Sequence, residues 1–210
     1  MSHQGWLVPE APRLIFATRN AGKVAEFQDL LAGLAITLLS LREFAAIPEI
    51  PEDASTYREN ALAKAEVVCR HLGLPALADD SGLEVDALAG SPGVRSARFA
   101  GEPADDQRNI AKLLAALRDV PATARTARFR CTIVVARPDG GVLTADGSCE
   151  GLIAPQPAGS GGFGYDPVFL VPALGRTFAE LPLSQKHALS HRARACAVLR
   201  PRLERFLRGE

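Results

Sequence analysis

The hydrophobic pattern changes period several times along the chain, and each change predicts an element. Arg13 to Thr18, RLIFAT, is a short apolar run ending in polar residues and reads as a strand. From Gly22 the apolar positions recur at Val24, Phe27, Leu30, Leu31 and Leu34, the spacing of one helix face. Thr56-x-x-Glu59 has the form of a capping box and opens a second helix through Tyr57, Ala61, Leu62, Ala65, Val68 and Leu72, which Gly73 stops. ALADDSGLEVDAL then reads as an apolar strand, an acidic turn and a second strand, LEVDAL. A third helix turns Ile110, Leu113, Leu114 and Leu117 inward, and two long strands, TARFRCTIVVA and VLTADGSCEGLIA, are joined through Pro-Asp-Gly-Gly as an antiparallel arm. The glycine cluster AGSGGFGYDPVF and one cationic helix, LSQKHALSHRARACAVLRPRLERFL, close the chain, with Pro201 expected to kink or restart that helix. Strand and helix signals thus alternate, with no internal repeat or obvious linker.

Composition narrows the class. A chain of 210 residues with 47% hydrophobic content can bury a core in one domain or two small lobes. Lys plus Arg (24) balances Asp plus Glu (24), so no global field draws the protein to nucleic acid or an anionic membrane, and a small charged substrate fits better than a polymer. Cys69, Cys131, Cys149 and Cys196 lie far apart without a C-x-x-C pair, which argues against zinc and for free thiols in a reducing compartment. The start, MSHQGWLVPEAPR, lacks the charged and apolar regions of a signal peptide, and no apolar run approaches a membrane span, so the expected location is cytoplasmic.

Four polar clusters sit at predicted element junctions. In the first, TRNAGK (Thr18, Arg19, Asn20, Ala21, Gly22, Lys23), a strand end meets a helix start, where backbone N–H groups, the helix dipole and a lysine can face an anion. It is not a Walker A loop, and its bland alternative is a turn with Asn20 as N-cap. The second is acidic: PEIPEDAS together with Asp79 and Asp80 offers hard oxygens that suit Mg²⁺, with Glu52 or Glu49 joining Asp80 on one ion. Singly, those loop acids are a solvated stretch complementing the dipole of the following helix. Third, GSGGFGYDP lets a planar ring approach the main chain, with Phe163 or Tyr165 to stack on it. Fourth, SQKHALSHRARA places Lys186, His187, Ser190, His191, Arg192 and Arg194 on about two helical turns, suited to phosphates or ring carbonyls, or else forming a solvated basic face.

Together the four make a nucleotide site: a loop for phosphates, acids for Mg²⁺, an aromatic for the base and cations for charge. On this reading a Mg²⁺ ion between Asp79 and Asp80 relieves their repulsion and bridges substrate phosphates, while one carboxylate orients or deprotonates the attacking water. Two other classes compete. A sensor that binds nucleotide without hydrolysing it has no need of a base beside the metal, and a nucleic-acid binder is opposed by the neutral charge.

The same motifs, in one order from Leu14 to about Leu207, resemble the inosine triphosphate pyrophosphatases, also called dITP/XTP pyrophosphatases. FATRNAGKVAEF, EDASTYRENALAKA, LADDSGLEVDALAGSPGVRSARFAG, RTARFRC, GGFGYDPVF and AELPLSQKHALSHRARA carry the resemblance. It implies an α/β fold with a long, mixed, twisted sheet flanked by helices, two lobes around a central nucleotide cleft, and a homodimer as the usual assembly. It implies hydrolysis of noncanonical purine nucleoside triphosphates (ITP, dITP, XTP) to the monophosphate and pyrophosphate. By motif, Thr18 to Lys23 would hold triphosphate, Asp80 would be general base and Mg²⁺ ligand, and Ser81 would touch substrate. Phe163, Gly164, Tyr165, Asp166, Lys186, His191 and Arg192 would complete the nucleotide site. Many relatives read Glu-Glu-Thr-Gly where this chain has Pro51-Glu52-Asp53-Ala54; Glu52 aligns with the metal glutamate, and Glu49 is the alternative. Residues 1–12 extend beyond the family start, leaving 13–210 as the expected single domain.

Overall fold

A computed structural model describes residues 11–210 apart from Ala45, Ala46, Glu49 and Pro51. Most of the N-terminal extension and the alternative metal residue Glu49 therefore lie outside the described residues.

Seven strands form one mixed sheet in the order β2-β1-β3-β4-β5-β6-β7. They are β1 (Arg13–Phe16), β2 (Thr37–Ser40), β3 (Ala76–Val85), β4 (Thr126–Ala136), β5 (Val142–Ile153), β6 (Phe169–Val171) and β7 (Arg176–Thr177). Five α-helices flank it: α1 (Ala21–Leu30), α2 (Tyr57–Leu72), α3 (Asp106–Ala116), α4 (Leu183–Leu189) and α5 (His191–Arg208). The long mixed sheet that the resemblance implies is present, and β4 and β5 form the antiparallel arm expected from the sequence pattern, with Arg128 opposite Glu150 and Thr132 opposite Asp146.

Local chemistry sets the helix ends. Thr56 accepts from Glu59 N while the Glu59 side chain returns to the Thr56 N–H, and Gly73 ends α2 at φ 64°, a left-handed value that favours glycine. On α2 the buried stripe Asn60, Ala61, Lys64, Ala65, Val68, Cys69 packs on one sheet face. On the other face α1 and α5 cover Leu14, Leu77, Ile133 and Val135. A third apolar cluster, around Leu83, Leu113, Phe129, Phe169 and Phe178, lies at the far end of β3 to β5. These packing centres define two lobes, and the long strands run through both.

Two sequence expectations are corrected. The acidic pair does not form a turn: β3 is continuous from Ala76 to Val85, with Asp79 opposite Ile133 and Asp80 opposite Thr132. Ten consecutive residues paired to β4 hold the backbone straight, and burial of Asp79 is offset by Lys23 and Arg192 from distant segments. The C-terminal cationic helix is also not single. It breaks at Ser190, whose Oγ accepts from Ala193 N and caps α5, whereas Pro201 sits inside the continuous α5.

Candidate active site

Period-two alternation explains why two adjacent carboxylates tolerate each other, because successive strand side chains point to opposite faces. Asp79 points toward α1 and α5, where Lys23 Nζ donates to both of its oxygens at 2.9 and 3.0 Å, Ser81 Oγ donates at 3.1 Å, and Arg192 Nε stands 3.6 Å away. Burial alone would raise its pKa, but the Lys23 ammonium and Arg192 guanidinium outweigh it and hold Asp79 well below the usual carboxylate range. Asp80 points toward α2, accepting from Asn60 Nδ2 at 3.0 Å and from Lys64 Nζ at 3.4 Å. Here burial wins over Lys64 and Asn60, and the Asp80 pKa is raised. The cations that the sequence reading sought from a metal are thus largely supplied by the chain itself. Asp79 is an anchoring group, and Asp80 is the carboxylate left poised to take up a proton.

Side chains from both faces reach one cleft because β1 pairs with β3 only as far as Leu77, leaving Asp79 to Gly82 on an open edge. That cleft, of about 400 Å³, is lined by Thr18, Asn20, Lys23, Glu52, Asp80 and Ser81 at one end. At the other end lie Phe163, Gly164, Tyr165, Asp166, His191 and Arg192. A second recess of about 190 Å³, lined by Arg19, Lys23, Glu52, Lys64 and Asp79 among others, shares Thr18, Lys23 and Glu52 with the cleft. At the β1–α1 junction Asn20 is indeed the N-cap, accepting from Lys23 N at 3.1 Å, so the dipole of α1 begins with Ala21 and Gly22 beside the cleft.

At the other end Phe163 is 37% exposed, with Lys186 Nζ 4.9 Å and Arg192 Cζ 5.0 Å from its ring centroid. Lys186 also donates to Asp166 at 2.5 Å, and Asp166 accepts from Phe163 N at 2.8 Å. Arg192 is fixed by Glu26 at 3.1 Å. His191 stacks on Phe129 with centroids 4.8 Å apart, and burial followed by the Arg192 charge lowers its pKa well below the ordinary value, so it is neutral near pH 7. His191 Nδ1 and Arg192 Nε are buried without a hydrogen-bond partner among the described residues. Of the two candidate aromatics, Tyr165 is buried and its hydroxyl donates to Ser96 O at 2.9 Å, so only Phe163 offers an open ring. The cationic run divides likewise: Lys186, His191 and Arg192 face this end, while His187 lies 3.6 Å from Asp29 and Arg194 donates to Ser148 O.

The metal expectation can be tested on the donors. Glu52 Oε2 and Asp80 Oδ1 both turn to one cationic point, Lys64 Nζ, at 3.1 and 3.4 Å. Hard oxygens converging on a tethered ammonium fit Mg²⁺, which is usually held by one or two carboxylates, waters and substrate phosphates. Among the described residues no cluster of three or more His, Cys, Asp and Glu side chains could hold a metal ion.

Sequence reading missed Asn60, Lys64 and Glu26. A signal for the first two was present: both fall on the apolar stripe of α2, where an unpaired polar group would be costly, so each needed a buried partner. Glu26 is likewise buried on α1, beside Phe27, on a helix whose other residues are partly or fully exposed.

The fold and the cleft together define a two-lobed α/β protein with a groove that is cationic and acidic at one end and aromatic at the other. The chain belongs to the Ham1 family, whose sequence profile matches residues 14–202. It is 56% identical over 191 residues to the dITP/XTP pyrophosphatase of Geobacter sulfurreducens, covering 91% of this chain and 96% of that one. With the protein of the same name from Geobacillus kaustophilus it shares 49% identity, covering 94% and 97%. Its fold is similar to that of a HAM1 protein from Coxiella burnetii (TM-score 0.85, 43% identity, 92% and 99% covered). The Staphylococcus aureus Ham1 protein is also similar (TM-score 0.81, 39% identity, 94% and 98% covered).

Proposed function

We infer that the protein is a nucleoside-triphosphate pyrophosphatase that hydrolyses the purine nucleotides ITP, dITP and XTP to the monophosphate and pyrophosphate. Its relatives named dITP/XTP pyrophosphatase at about half identity over nearly the whole chain support the activity. The observation that carries the reading in this chain is the continuity of one cleft from Asp80 and Glu52 to the exposed ring of Phe163.

In this reading Lys23 and the start of α1 hold the triphosphate, assisted by Thr18, Arg19 and Asn20, and stabilise charge on the leaving pyrophosphate. Asp80 accepts a proton from the water that attacks the α-phosphorus; its raised pKa brings it nearer the operating pH than an ordinary carboxylate. Asn60 and Lys64 orient Asp80. Glu52 and Asp80 would hold Mg²⁺, which when bound supplies charge neutralisation of the phosphates. Ser81 Oγ, tied to Asp79, lies beside the reacting end. The purine stacks on Phe163, and His191 and Arg192, which line the same end of the cleft, are placed to meet its polar edge. A donor there satisfies a six-carbonyl and meets an adenine amine donor to donor, a mismatch that can reach about 10⁴-fold in discrimination.

The proposed catalytic unit is residues 13–210 as one domain, since one sheet runs through both lobes. We assign the assembly as a homodimer in the cytoplasm; the four buried free cysteines suit a reducing compartment, and light scattering tests the dimer. No helix among the described residues is long and apolar enough to cross a membrane. The deciding experiment incubates the protein and Mg²⁺ with ATP, GTP, ITP or XTP and separates pyrophosphate from orthophosphate. Pyrophosphate from ITP and XTP far in excess of ATP is expected; orthophosphate as first product, or equal rates with ATP, would refute the assignment.

A further inference from the structure

The glycine loop that carries Phe163 is held mostly by its own lobe. Gly161 N donates to Ala179 O at 3.0 Å, Ala158 N to Pro167 O at 2.8 Å, and Phe163 N to the Asp166 carboxylate. Besides the Tyr165 hydroxyl bond to Ser96 O, a further tie comes from α3: Gly164 N donates to Asp106 Oδ2 at 2.7 Å, from the first turn of that helix, which also lines the cleft. Gly164 takes φ +62°, which L side chains rarely adopt, and Asp105 is the N-cap of α3, accepting from Arg108 N at 2.7 Å. Asp106 is therefore free of capping, and its carboxylate is spent on the loop. The N–H of Phe163 and that of the next residue are each bound by a carboxylate, so the peptide on either side of the ring is fixed.

We propose that Asp106 is a positioning residue for base recognition, setting where the Phe163 ring stands by holding the Gly164 N–H. This rests on the reading of the cleft as a purine nucleotide site. The competing role for an acid at this position is to complement the dipole of α3. The two roles separate because Asp106→Asn removes the charge but keeps an oxygen acceptor on the same skeleton, whereas Asp106→Ala removes both.

The test compares wild type, Asp106→Asn and Asp106→Ala in two ways. Amide hydrogen exchange of the peptide over residues 159–164 should speed up about 10-fold in Asp106→Ala and stay within about 3-fold of wild type in Asp106→Asn, because local opening follows loss of the tie. In steady-state assays, KM for ITP should rise about 10-fold in Asp106→Ala with kcat changed less than about 3-fold, the pattern of lost binding shared by ground and transition states, and Asp106→Asn should restore it. Inorganic tripolyphosphate, which has no base, should inhibit all three proteins with the same Ki. Unchanged exchange in Asp106→Ala overturns the tie. Asn and Ala variants behaving alike assigns Asp106 to the helix dipole instead, and a parallel rise in tripolyphosphate Ki overturns a role confined to the base. Wild-type protein inert toward ITP and XTP would overturn the hydrolase reading and this base-binding role with it, a failure told apart by the wild-type control.

Discussion

Replacing Asp79 and Asp80 in turn by Asn makes the same chemical change at neighbouring residues, with opposite expected outcomes. Asp79 is 3% exposed and bound by Lys23 through both oxygens, with Arg192 beside it. Its loss takes from Lys23 the carboxylate it donates to and leaves the buried Arg192 guanidinium paired with Glu26. Removing one member of a buried ion pair costs about 3–5 kcal/mol. Lys23 is partly exposed and Arg192 keeps Glu26, so the lower end applies, about 3 kcal/mol. At about 2–4 °C per kcal/mol for a chain of this size, Asp79→Asn should lower Tm by roughly 6–12 °C. Asp80 is also buried, but its raised pKa means that the folded protein resists its ionisation; removing the charge costs little stability or adds some. Turnover, by contrast, should fall by about 10²-fold or more in Asp80→Asn, the contribution of a positioned base. Thermal unfolding at pH 7 and pyrophosphate release from XTP read the two effects. Equal destabilisation by both substitutions, or near-normal turnover in Asp80→Asn, would refute the division of labour.

Three further outcomes are expected. A Cβ at Gly147 would stand 2.2 Å from His191 O and 2.4 Å from Ala195 N, so Gly147→Ala should push α5 off the sheet, costing about 1–3 kcal/mol by overpacking and lowering activity through His191 and Arg192, checked by denaturant melts and turnover together. Because the folded His191 pKa is depressed, the unfolded chain takes up a proton near pH 6.5 that the native protein refuses; this contribution is intact above about pH 6.5 and is lost as pH falls below it, by at most about 1.4 kcal/mol per unit. Denaturation of wild type and His191→Gln between pH 7.5 and 5 should show the difference growing in favour of the variant toward acid. Thr56→Ala removes the capping-box hydroxyl of α2 and should cost about 1 kcal/mol in the same melts, with little change in base preference.

Much of the fold could be read from the sequence because its signals are local. The Thr56–Glu59 box, Gly73 and the inward face of α3 depend only on near neighbours, and each stands where expected. The four polar clusters also meet, since each sits at an element end facing one cleft. What escaped was long-range. Asp79 is stable inside a strand only because Lys23 and Arg192, far away in sequence, arrive beside it, and no window containing Asp79 holds that information. The break at Ser190 was hidden by continuous helical periodicity on both sides, while Pro201, the residue that suggested a break, is accommodated within α5. The place of Asn60 and Lys64 on the apolar stripe of α2 calls for buried partners, but that the partner is Asp80 is fixed only when α2 is laid on β3.

The strand alternation that separates the two acids also sets which mutations the gene can bear. Deleting a single codon among Ala76 to Ala78 would shift the remaining strand by one position against β4 and exchange its faces. The carboxylate meant for the water would then be captured by Lys23 and Arg192, and the anchoring one would face Asn60 and Lys64. Deleting two codons would shorten the strand yet return each acid to its own side. Tolerance of β3 to length change is thus expected to follow odd and even numbers, with even losses milder than odd ones.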